Sequence, residues 1–195
     1  MTPPNTVTLL RILLTPVFIA LLFSNDYFNI QFALLVFTIA AITDWYDGLL
    51  ARRYGYISRF GKFFDPLADK ILTSFAFGAF YFLNLTELWM VVLIISRDIL
   101  ITLLRMYLDY KNKQFDTSSF SKTKTVFQML AIYLILFSYV VNTNPYYFGL
   151  IGEQTNLILT QFNLQILMWI TTILTLATGI FYLIKNRKSI SSIFK

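Results

Sequence analysis

Three observations predict an all-α integral membrane protein with six transmembrane helices. Of the 195 residues, 57% are apolar and only 13% are charged, about half the charged share of a soluble domain. The apolar residues gather in blocks close to the roughly 20 that a helix needs to cross a bilayer. Within each block they are continuous instead of alternating, which excludes a membrane β-barrel. No internal repeat or low-complexity linker divides the chain, so residues 1–195 read as a single transmembrane domain with a short basic tail at 186–195.

The first block, 7–24, has neither a basic start nor a small-residue cleavage site, and is expected to be a span and not a signal peptide. The second, 30–50, ends among acids and then Arg52 and Arg53. The stretch 54–60, with Gly55 inside it, is short enough to turn the chain into the third block, 63–84. The fourth, 86–108, holds Arg97 in its interior. The fifth, 125–142, follows a basic stretch, and the sixth, 163–185, runs into the tail.

Basic residues set the orientation. Arg52, Arg53, Arg59, Lys62 and Lys70 cluster between the second and third blocks; Arg105, Lys111, Lys113, Lys122 and Lys124 between the fourth and fifth; Lys185, Arg187, Lys188 and Lys195 after the sixth. Arg11 lies near the start of the first. The opposite connections, 24–31, 84–87 and 142–163, hold no Lys or Arg. Lys and Arg accumulate on the cytoplasmic side of membrane proteins, so both termini are expected there. The net charge of +6 then reflects topology and anionic lipid headgroups, and no nucleic acid partner is expected.

The chain contains no cysteine and no histidine. That excludes disulfides, thiolate metal sites and imidazole chemistry. A general base in such a chain is most readily a carboxylate, since Lys and Tyr would need large pKa shifts.

Four of the ten acids fall in the window 44–69: Asp44, Asp47, Asp65 and Asp69. They stand at the cytoplasmic ends of apolar blocks, where an unpaired carboxylate is costly. Asp44, Asp47, Gly48, Ala51 and Arg52 share one helical face, and Gly61, Asp65 and Asp69 form a stripe on the next helix. The small residues leave room for a phosphate or backbone to approach. Two carboxylates about 5 Å apart repel by about 3 kcal/mol at an effective dielectric near 20, so a cation must compensate. All-oxygen ligands suit Mg²⁺, Mn²⁺ or Ca²⁺, and two such ions suit phosphoryl transfer. Pairing with Arg52, Arg53, Arg59 and Lys62 is the competing explanation, but it leaves the two facing stripes and their glycines unaccounted for. A divalent cation transporter is the reading from a different class. It would need a second acidic site deeper in the spans, and the sequence has none.

The pattern Asp44, Asp47-Gly48, Ala51-Arg52, Gly61, Asp65, Asp69 resembles, at all eight positions, the signature of the CDP-alcohol phosphotransferase family. The six-span organisation resembles that family's fold over nearly the whole chain. The resemblance implies transfer of a phosphoalcohol group from a CDP-linked donor to an acceptor hydroxyl, with release of CMP. It implies that Asp44, Asp47, Asp65 and Asp69 hold two divalent ions, Mg²⁺ or Mn²⁺, with Asp69 also the catalytic base. Gly48, Ala51, Arg52 and Gly61 would surround the cytidine and its phosphates. A homodimer in the bacterial inner membrane, with its active site at the cytoplasmic face, is implied as well.

Pro4-Asn5 with Thr8 and Arg11, the run Asp65-Pro66-Leu67-Ala68-Asp69-Lys70, and Ser121-Lys122-Thr123-Lys124-Thr125 with Gln128 and Met129 are similar to bacterial members of one kind. Those members join CDP-diacylglycerol to sn-glycerol 3-phosphate. A phosphorylated acceptor needs cations, and Arg97, Arg105, Lys122 and Lys124 are the candidates. Arg97 and Arg105 are eight residues apart, about 12 Å along a helix. Direct pairing of Arg97 with Asp98 is expected to be awkward, because adjacent helical side chains diverge by about 100°. Arg97-Asp98 also stands where those members usually carry Arg-Glu. Arg-Asp occurs in members of the same fold that use phosphatidylglycerol, so phosphatidylglycerol is the alternative acceptor.

Overall fold

A computed structural model describes the backbone of residues 3–54, 59–111, 119–152 and 161–187, and the side chains of 9–43, 70–108, 110–111, 123–151 and 163–187. All regular structure among the described residues is helical. The long helices are α1 (Pro3–Leu22), α2 (Tyr27–Tyr54), α3 (Arg59–Phe82), α4 (Leu88–Tyr110), α5 (Ser119–Thr143) and α7 (Gln161–Lys185). Each contains most or all of one apolar block. Between α5 and α7 come a single turn, α6 (Pro145–Tyr147), and a π-helical turn, Phe148–Gly152.

Local chemistry fixes several ends. Asp26 caps α2 by accepting the Phe28 N–H at 3.0 Å, and the Ser24 hydroxyl accepts the Asp26 N–H at 3.2 Å. At the end of α3, Asn84 takes φ 58°. The Leu85 N–H then reaches the Phe80 carbonyl at 2.8 Å and the Asn84 N–H the Tyr81 carbonyl at 3.0 Å. This is the left-handed stop that satisfies the last carbonyls of a helix, and Asn tolerates it better than most residues. Asn144 caps α6, with Pro145 in its first turn, where a missing N–H costs nothing.

α1 packs on α2 and α3; α3 on α4; α5 on α2, α3 and α7; and α4 on α7. The core is aromatic and aliphatic: Phe18, Phe37, Phe77, Phe80, Met90, Ile94, Ile132 and Ile135 are all buried. The Phe37 ring lies 5.4 Å from both Phe18 and Tyr133, which joins α1, α2 and α5. Opposite the basic connections, Trp89 of α4 meets Trp169 of α7 at 4.7 Å and donates its indole N–H to Glu87.

The outward faces are apolar too. Leu13, Phe32, Leu35, Ile39, Ile42, Phe75, Val92, Leu103, Ile173 and Ile180 are exposed on five different helices. A soluble bundle turns charge outward; this one presents a surface suited to lipid. Two stretches among the described residues, Thr123–Thr143 and Asn163–Lys185, are long and apolar enough to cross a membrane by themselves. Leu9–Leu22, Tyr27–Thr43 and Lys70–Phe82 are shorter apolar helical stretches. Buried or half-buried hydroxyls bond to their own helices: Thr15 to the Arg11 carbonyl, Thr38 to Leu34, and Thr172 to Met168. Such back-bonding satisfies a hydroxyl where no water is available.

Candidate functional site

The backbone places the eight signature residues on two successive helices. Asp44, Asp47, Gly48, Ala51 and Arg52 lie in the last turns of α2, and Gly61, Asp65 and Asp69 in the first turns of α3. Asp65 and Asp69 are one turn apart. The side chains of all eight lie outside the described residues, as does that of Lys122. α1 packs on both helices and buries Arg11 almost completely.

Among the described side chains, α4, α5 and α7 form a buried charged node. Asp98 of α4 is at its centre, with 2% of its side chain exposed. Lys124 of α5, equally buried, donates from Nζ to both carboxylate oxygens, at 2.5 and 2.7 Å. Gln128, one turn further along α5, donates from Nε2 to Oδ2 at 3.2 Å. Arg97 donates from Nη1 to Oδ1 at 3.1 Å. Its other terminal nitrogen donates to the Thr178 hydroxyl of α7 at 2.9 Å, and the guanidinium carbon stands 5.9 Å from the centre of the Tyr182 ring. The node thus ties three helices together at one carboxylate.

The arm of Arg97 runs along the backbone of α7 at Gly179. A Cβ there would stand 3.0 Å from Arg97 Cγ and 3.1 Å from Nε, so the glycine is a notch for the arginine. Arg97 Nε is buried and has no hydrogen-bond partner among the described residues.

The electrostatics are unequal. Among the described residues, two cations, Arg97 and Lys124, meet one carboxylate. Lys70 acts on both Asp98 and Lys124 electrostatically, and it directly follows Asp69 in α3. The node is therefore within electrostatic reach of the helix that carries Asp65 and Asp69. A buried charge is costly unless a counter-charge meets it, and the Arg97 and Lys124 donors not used on Asp98 could meet an anion.

Of the four cations expected to meet a phosphate, the structure brings Arg97 and Lys124 together around Asp98. Arg105 is exposed, two turns further along α4. The expected awkwardness of an Arg97–Asp98 contact is not observed. The Cα–Cβ directions diverge, but the long arginine arm turns back far enough to close a 3.1 Å ion pair. Sequence reasoning left the role of Asp98 open and missed Thr178 and Tyr182. Two signals were present. An acid stood inside an apolar block, and Lys124 with Gln128 shared one face of α5 at i and i+4.

With this geometry in hand, the comparisons with known proteins agree with one another. The family model described as CDP-alcohol phosphatidyltransferase matches residues 1–181. A CDP-diacylglycerol–glycerol-3-phosphate 3-phosphatidyltransferase of Rickettsia typhi is 31% identical over 179 residues, which covers 92% of this chain and 93% of the relative. Proteins of the same name from Blochmanniella floridana and Bacillus subtilis are 38% and 35% identical. The first of these matches covers 83% of this chain and 86% of the relative; the second, 68% and 75%.

Proposed function

The chain belongs to the CDP-alcohol phosphatidyltransferase family and is a transferase, and from that premise we propose that it moves the phosphatidyl group of CDP-diacylglycerol onto sn-glycerol 3-phosphate. The products are phosphatidylglycerophosphate and CMP. The observation that carries this reading is the unbroken eight-residue signature on consecutive helices α2 and α3. The names of the relatives support the donor and the acceptor.

In the reaction an acceptor hydroxyl oxygen forms a new bond to the lipid-linked phosphorus of the donor. The bond from that phosphorus to the CMP oxygen breaks in line, and the hydroxyl proton passes to the Asp69 carboxylate. Gly48, Ala51 and Gly61 leave space for the cytidine and its phosphates, and Arg52 offers a planar fork to a phosphate. Asp44, Asp47, Asp65 and Asp69 are a hard, all-oxygen donor set, which fits two Mg²⁺ or Mn²⁺ ions. When bound, such ions supply charge neutralisation at the phosphates and the leaving group. Arg97, Arg105, Lys122 and Lys124 attract the acceptor phosphate. The meeting of Arg97 and Lys124 at one buried carboxylate supports that assignment. The Arg97-Asp98 pair favours phosphatidylglycerol as a second acceptor to test.

The donor's acyl chains explain why the enzyme is built into a bilayer. Helices of 20 to 28 residues span about 30–42 Å at 1.5 Å per residue, enough to cross the roughly 30 Å hydrocarbon core. All six long helices are assigned as spans of the inner membrane, with both termini and the signature on the cytoplasmic side, in keeping with the basic clusters. The protein works as a homodimer in this reading.

Purified protein in detergent tests the reaction. CMP release from CDP-diacylglycerol is followed with Mg²⁺ or Mn²⁺ and with sn-glycerol 3-phosphate, phosphatidylglycerol, serine or inositol phosphate offered separately. Release with glycerol 3-phosphate, lost in Asp69→Asn, is the expected result. Release only with phosphatidylglycerol would keep the chemistry and overturn the acceptor.

A further inference from the structure

We infer that Asp98 is the positioning residue of the acceptor site: it seats Arg97 of α4 and Lys124 of α5 side by side, with hydrogen-bond donors left over for the acceptor's phosphate. The inference rests on the proposed phosphorylated acceptor.

The hydrogen bonds show why Asp98 must act through its neighbours. An ionised carboxylate offers about four lone-pair positions. Asp98 receives four hydrogen bonds: two from Lys124, one from Gln128 and one from Arg97. It has no capacity left to ligate a metal or accept a substrate proton. Its partners, by contrast, keep donors in reserve. Lys124 has three N–H bonds and uses two on Asp98. Arg97 has five and uses one on Asp98 and one on Thr178, while its Nε is buried with no hydrogen-bond partner among the described residues.

The surroundings hold this arrangement still. Thr178 keeps its acceptor side toward Arg97, because its own hydroxyl proton faces backbone carbonyls of α7 at 2.8 and 2.9 Å. The Gly179 notch fixes the path of the arginine arm. Without the carboxylate, two like charges would have to share a buried space. Lys70 acts on both Asp98 and Lys124 electrostatically from the α3 side.

The test separates positioning from packing. Asp98→Asn keeps the size of the side chain but removes its charge, so Arg97 and Lys124 lose the group that seats them. KM for sn-glycerol 3-phosphate should rise about tenfold or more, as expected when a hydrogen bond from a charged donor to the phosphate is lost. KM for CDP-diacylglycerol should stay put. Asp98→Glu keeps the charge and should recover part of the loss. An unmoved acceptor KM in Asp98→Asn, an equal rise for donor and acceptor, or no recovery in Asp98→Glu, would overturn the inference while leaving the proposed reaction intact. Wild-type protein that releases no CMP with glycerol 3-phosphate would overturn the proposed acceptor and the inference together.

Discussion

Replacing Gly179 by alanine is the smallest change that reaches the buried node without touching a charge. The added Cβ would stand 3.0 Å from Arg97 Cγ, 3.1 Å from Nε and 3.6 Å from Cδ, so the arm has to retreat by a few tenths of an ångström. It has little freedom to do so. One end is fixed to α4, and the other is held by Asp98 at 3.1 Å and by Thr178 at 2.9 Å. Thr178 is the neighbour of Gly179 itself, so the added methyl and the hydroxyl pull the guanidinium in opposite senses. Alanine in a helix interior gains about 1 kcal/mol over glycine. Against this stand about 1–3 kcal/mol of overpacking and part of the roughly 1.5–3 kcal/mol of a hydrogen bond to a charged group. The net expectation is a loss of about 1–3 kcal/mol, or a fall in Tm of roughly 5 °C for a chain of this length. Gly78 in α3 is the matched control, because a Cβ there meets nothing within 4 Å; Gly78→Ala should be neutral or stabilising by up to about 1 kcal/mol. Thermal unfolding of both variants in the same detergent measures the difference. In a Thr178→Val background the cost of Gly179→Ala should shrink, since retreat of the arm no longer stretches that bond. Equal Tm values for Gly179→Ala and Gly78→Ala would refute the notch.

Further expectations follow from the same structure. Lys124→Met leaves one cation on one carboxylate, whereas Asp98→Leu leaves two buried cations with none; the second should cost more, by about 3–5 kcal/mol against wild type, in denaturation followed by helical circular dichroism. Asp69→Asn should lower CMP release by at least about 10²-fold, the usual contribution of a general base, with unchanged helicity. Chelation of divalent ions should stop turnover of the wild type, and added Mg²⁺ or Mn²⁺ should restore it; full activity in the chelator would rule out the metal reading of the four carboxylates. At the end of α3, Asn84→Gly should be tolerated and Asn84→Val should cost about 1–2 kcal/mol, because φ 58° suits glycine and penalises a β-branched residue; identical Tm values for the two would count against the left-handed stop.

Much of the fold was legible because burial in lipid and burial in the bundle demand the same residues. The block 86–108 became Leu88–Tyr110 and the block 163–185 became Gln161–Lys185. Ends moved where polar residues continue a helix beyond its apolar part, as α2 does through Arg52 and Arg53 to Tyr54. The turns after Asn144 carried no periodicity to read, though Asn144-Pro145 is a recognisable cap and first turn. The signature was legible as spacing alone, since i, i+3 and i+4 relations survive any packing.

The node was legible only in part, for a physical reason. A sequence shows how many charges an apolar segment contains, but not which of them meet. Lys124 and Asp98 are 26 positions apart, and their contact depends on how α4 and α5 pack on α3 and α7. Adjacent helical side chains diverge in their Cβ directions, yet an arginine is long enough to reach α7 and still close on its neighbour. Burial then changes what the count means. Two cations to one acid at a wet surface would be balanced by salt and water. With Asp98 and Lys124 each 2% exposed, water and salt cannot supply that balance, and it falls to anionic groups close by, a carboxylate of the chain or the phosphate of an acceptor.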